Sequence, residues 1–186
     1  MPTRSSFDTM ANRTTLAELT ELVSPPKRPL RCSNESNWKT LKQAIDFPIP
    51  DAFLDYGRTY GTGEIAAAGY TLQIGNPLDP KYAKWALAQS EIMRTRGDGP
   101  ELRATRFYPE PDGVLPFATD LCGDLVFFTR DRAIASCPTD PNGLIPYNYD
   151  LIGFLHSLFS GTLSPEYFPN SETSQANPVF SKKSWI

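Results

Sequence analysis

Tyr70, Leu72 and Ile74 alternate with Thr71 and Gln73. That period of two predicts a strand over 70–74 with one face buried. Further along, two apolar runs, 114–118 and 125–129, flank Thr119-Asp120-Leu121-Cys122-Gly123-Asp124. They predict an antiparallel hairpin with a glycine-containing turn. Weaker strand signals fall at 134–137 and 144–147. Phe127 and Phe128 are neighbours within one predicted strand, so they must point to opposite faces; one enters a core and the other is covered by a helix or exposed.

Helical spacing brackets these strands. Leu16, Leu19, Leu22 and Val23 follow Thr14 and Thr15, either of which could cap a short helix ending before Ser24-Pro25-Pro26. Trp38, Leu41 and Ile45 form a stripe behind possible caps Ser36 and Asn37. Pro50 suits the first position of the next helix, which carries Phe53, Leu54 and Tyr56 and ends in the turn Gly61-Thr62-Gly63. Asp79-Pro80 predicts another helix start, with Tyr82, Trp85, Gln89, Ile92 and Met93 on its buried side and Arg94 and Arg96 in the last turn before Gly97. Asp150 caps a last helix whose apolar face is Leu151, Phe154, Leu155 and Leu158, stopped at Gly161.

Strands grouped between helices imply an α+β class: a single domain whose mostly antiparallel sheet is packed with N-terminal and C-terminal helices. The expected organisation is a flank over 1–33 with a short helix and a Pro-rich linker, a domain over 34–168, and a flexible polar tail over 169–186. Met10 offers an alternative start. With 18 prolines the chain is no helical bundle.

A net charge of −3 without a basic stripe argues against nucleic acid as partner. No apolar run approaches the length needed to span a bilayer, and no apolar leader-like stretch is visible near Met1, so no membrane association is expected and the expected address is cytoplasmic. Cys32, Cys122 and Cys137 have no paired spacing and read as free thiols in a reducing compartment.

The segment Phe107-Tyr108-Pro109-Glu110-Pro111-Asp112-Gly113-Val114-Leu115-Pro116-Phe117 resembles the central signature of the SUKH superfamily: Pro-Glu-Pro, then Gly, two aliphatics, Pro and an aromatic. Gly123-Asp124-Leu125-Val126-Phe127-Phe128 resembles the family's next strand. Ile49-Pro50-Asp51-Ala52-Phe53-Leu54-Asp55-Tyr56, Tyr60-Gly61-Thr62-Gly63, Asn76-Pro77 and Gly153-Phe154-Leu155 through Gly161 follow the family's order, and Trp38 lies on an early helix as it does there. The resemblance covers residues 36–165. Phe117-Ala118 stands where many members have Trp-Gly, Phe128 where many have Trp, and Cys122 interrupts the usual polar turn. The resemblance implies a protein that acts by binding. Bacterial members are immunity proteins that neutralise polymorphic toxins encoded beside them, and fungal members are non-catalytic regulators of cell-wall assembly. It implies a cognate toxin as partner, no catalytic residue and no cofactor.

Tyr108, Glu110, Asp112, Asp120, Asp124 and Phe128 are the candidate partner-binding residues. Each has a plainer reading. The prolines and Gly113 make a turn, the acids are common turn residues, and the aromatics suit a core. If the acids converge they form an acidic face for a basic partner; without a matching His or second acidic cluster they do not predict a metal site. His156, the single histidine, lies on the last helix without a neighbouring nucleophile motif. The sequence thus predicts a protein that is not an enzyme. An enzyme reading would require these acids to converge with His156 in a cleft.

Overall fold

The computed structural model describes residues 14–30, 35–45, 47–67, 70–96, 100–131, 134–138, 143–163 and 177–183. Met10, Cys32, Gly97, residues 169–176 and the side chain of Asn37 lie outside them. In chain order the elements are α1 (Leu16–Leu22), α2 (Glu35–Ala44), α3 (Asp51–Tyr60), β1 (Gly63–Ala67), β2 (Tyr70–Ile74), α4 (Tyr82–Arg96), α5 (Pro100–Ala104), β3 (Leu115–Asp120), β4 (Leu125–Phe128), β5 (Ile134–Cys137), β6 (Ile145–Tyr147), α6 (Leu151–Phe159) and β7 (Val179–Lys182). The strands form one antiparallel sheet in the order β6-β5-β4-β3-β2-β1-β7. This is the α+β arrangement that the hydrophobic pattern predicts.

Alternation along the strands sorts the side chains into two cores. Ile65, Leu72, Ile74, Val126, Phe128 and Ile134 join the larger one, with Leu19, Leu41, Phe53, Tyr56 and Phe154 from the helices. The opposite face of β4 and β5 feeds a smaller core: Leu125, Phe127 and Cys137 pack with Met93, Phe107 and Val114, flanked by Leu102 and Leu144. Phe127 and Phe128 are both fully buried, so the face predicted to be open or covered is covered. A β-bulge between Pro116 and Ala118 shifts the β3–β4 register and brings Phe117 into the larger core, stacked on Phe128 at 4.3 Å between ring centres.

Local chemistry explains the helix ends. Thr15 and Glu18 form a capping box on α1, and Asp150 accepts the Gly153 N–H at 2.8 Å to cap α6. Pro50 is the residue before α3 rather than its first residue. Asp79 does not start α4 directly. Its carboxylate accepts the Lys81 N–H at 3.0 Å and the Thr62 hydroxyl at 3.2 Å, and the helix begins at Tyr82. The buried side of α4 is also rotated from the predicted one. It runs Tyr82, Ala86, Ser90, Met93, while Ile92 is exposed. Small residues suit this side because the helix packs closely along β3.

The N-terminal flank is built into the domain. Leu19 and Val23 are fully buried, α1 packs on α6, the Tyr60 hydroxyl donates to Val23 O at 2.7 Å, and Leu30 bridges to Gly61. Part of the expected tail is ordered too: β7 pairs with β1 at the edge of the sheet.

Candidate functional site

The residues that carry the strongest sequence signature occupy the loop between α5 and β3. Its ends are tied by Val114 N–H to Arg106 O at 2.9 Å and Tyr108 N–H to Val114 O at 3.0 Å. Within it Glu110 N–H donates to Phe107 O and Gly113 N–H to Glu110 O, each at 2.9 Å. The Tyr108–Pro109 peptide bond is cis, and Asp112 has a φ of 62°, a left-handed conformation that Asp tolerates. Gly113 has a different requirement. A Cβ there would lie 2.6 Å from the Phe107 carbonyl carbon, so only glycine permits the chain to pass so closely. Phe107 and Val114 are buried in the smaller core on either side, which fastens the loop to the sheet.

Three cations hold the exposed acids. The Arg94 guanidinium lies 3.2 Å from Glu110 and pairs with Glu91, and it donates to Tyr108 O at 2.8 Å. Arg130 lies 2.9 Å from Asp112, with Arg106 at 4.0 Å. The result is a surface of interleaved charges. Tyr108 is half-buried against the larger core, and burial raises its pKa. The sequence gives no sign that these arginines belong to the site: Arg94 suits the helix dipole, and its i,i+3 spacing from Glu91 is its one local signal of an ion pair.

Asp120 and Asp124 do not join this surface. Each is only 7% exposed. One Asp120 oxygen accepts the N–H groups of Cys122 and Asp124, both at 2.8 Å, and so closes the β3–β4 turn. Burial raises the Asp120 pKa, with the Asp124 carboxylate adding to the shift. The expected acidic face is therefore corrected: two of its four acids are consumed by a turn, and the other two are balanced by arginines. Phe128 is also corrected as a contact residue. It is fully buried between Phe117 and Phe53, because its strand is packed on both faces. Of the six candidates, Tyr108, Glu110 and Asp112 come together and remain accessible.

His156 is half-buried on α6, where it lies close enough to influence Glu18 of α1. Glu110 is held by Arg94, Asp112 by Arg130, and Asp124 sits in the β3–β4 turn, so these acids and His156 belong to separate settings. Among the described residues no group of three His, Cys, Asp or Glu side chains is placed to hold a metal ion. Cys122 is exposed, and burial pushes the Cys137 thiol up to about 11. No helix among the described residues is long and apolar enough to cross a membrane. No family model matches the chain, and neither a curated protein nor a solved structure matches it.

Proposed function

We propose that this chain is an immunity protein of the SUKH type, which binds a cognate protein toxin in the cytoplasm and neutralises it by direct contact through the loop over 106–114. The observation that carries this reading is the loop itself. Exposed Glu110 and Asp112 are clamped by Arg94, Arg106 and Arg130 on a backbone closed by its own hydrogen bonds. A surface ordered before it meets its partner loses little conformational entropy on binding. Interleaved charges select a partner by complementarity more than by raw attraction. The same residues carry the family resemblance, so one segment accounts for both the signature and the accessible chemistry.

The test is co-expression with the product of the adjacent gene. The expected result is relief of that product's toxicity and co-elution of the two proteins. Absence of both contradicts the proposal. Recovery of several cellular proteins without a toxin would instead assign the chain to the regulatory, scaffold-like branch of the resemblance.

A further inference from the structure

Strand β7 is the most exposed strand of the sheet: none of its four residues is fully buried. Its pairing partner is β1, and it forms one outer edge of the sheet. Val179, Ser181 and Lys182 are exposed, with Val179 at 59%. Within the strand only Phe180 is partly buried, its ring 5.3 Å from that of Tyr60. The slot that takes it exists because residue 63 is glycine: a Cβ there would lie 2.3 Å from the Phe180 ring and 2.4 Å from Ser181 O. Among the described residues, the attachment beyond the ring includes buried Pro178 just before the strand, the strand ladder, the Lys183 N–H to Thr62 O bond at 3.4 Å and the Lys183–Glu64 ion pair at 2.9 Å. The inner side of β1 does not depend on it, since Ile65 pairs with Leu72 of β2 and is fully buried in the larger core.

We propose that β7 is a displaceable strap: it leaves the β1 edge as a unit while the other six strands stay folded, and by sitting there it keeps that edge and the Phe180 slot closed. An edge strand held by one partly buried ring, a buried proline before it and hydrogen bonds to a single neighbour is the kind of element that opens far below the global unfolding free energy. An uncovered strand edge next to an aromatic slot accepts an extended segment by strand addition. The occupant is the chain's own segment 177–183, which supplies the phenylalanine opposite Ile65 and the lysine that reaches Glu64.

Native-state hydrogen exchange on the intact chain tests this. The β7 amides are expected to exchange at least ~30-fold faster than those of β4 and β5. Phe180→Ala is expected to speed exchange further in β7 and β1 alone. A labelled peptide of residues 177–183 is expected to bind that variant at least ~10-fold more tightly than the wild-type chain, because the internal competitor is weakened. A smaller exchange ratio, acceleration spread over the whole sheet, or equal peptide binding by the two chains overturns the proposal. The wild-type exchange measurement decides even if the variant folds poorly.

Discussion

Strands β3, β4 and β5 bury side chains on both faces, whereas β1 and β2 bury one face and β7 has no buried residue, leaving Thr71, Gln73, Val179 and Ser181 at least partly open to solvent. The difference comes from what lies over the second face. Met93 of α4, Phe107, Val114 and the flanking Leu102 and Leu144 cover only the β4 and β5 end. That cover is also what fixes the loop over 106–114, since Phe107 and Val114 are its two anchors. The proposed binding surface therefore stands on the doubly packed half of the sheet, and the proposed strap hangs from the half packed on one side. The proposed site and the proposed strap are positioned by the same asymmetry.

The largest test of that asymmetry is truncation at the centre. Phe127→Ala and Phe128→Ala should each lower stability by about 3–5 kcal/mol in chemical denaturation, because both rings are fully buried on opposite faces. A small loss at Phe127 would mean that the second core is not packed. Phe127→Ala should also loosen the loop, seen as faster amide exchange at Tyr108 and Gly113.

A change of pH separates the two halves differently. Burial raises the Asp120 pKa above its unfolded value of about 3.9. Its carboxylate therefore opposes folding: the penalty is absent below the unfolded pKa, grows as pH rises through the interval between the two values, and is complete above the folded one. Asn at this position can still accept the Cys122 and Asp124 N–H groups. Asp120→Asn should thus gain stability relative to wild type as pH is raised from about 3 to 7, measured as the difference in thermal midpoint. A difference that shrinks over that range contradicts the assignment.

Smaller effects should follow at the surface. Arg94→Ala removes a partly exposed ion-pair centre and should cost no more than about 1 kcal/mol of stability, yet it frees Glu110 and the Tyr108 carbonyl and should measurably weaken binding of the proposed partner. Gln73→Ala, on the face of β2 that neither core covers among the described residues, should change stability by less than about 0.5 kcal/mol.

Legibility in the sequence followed the same division. Alternation identified β2, apolar runs identified β3 and β4, because buried strands must be apolar, and weaker signals marked β5 and β6. α1 and α6 were readable from their caps. β1 offered one large apolar residue, Ile65, among Gly63, Glu64, Ala66 and Ala67, and its strand character comes from its neighbours. β7 lies in a polar context and is a strand only because β1 and the Gly63 slot receive it. Short α5 carried no apolar repeat. The predicted face of α4 failed at Ile92 because close approach to β3 selected Ala86 and Ser90 over larger side chains. At the site, the loop and its acids were visible, but their cations were not. Arg94 meets Glu110 and Arg130 meets Asp112 across the fold, at separations that no local pattern encodes.

The claim on which the functional account rests is that partner contact occurs at the clamped loop. Hydrogen exchange on the complex between this chain and the adjacent-gene product would localise that contact directly. The account predicts new protection at residues 106–114 and around Arg94 and Arg130, with β1 and β2 unchanged. A complex that protects the open face of β1 and β2 while leaving the loop unaffected would contradict it.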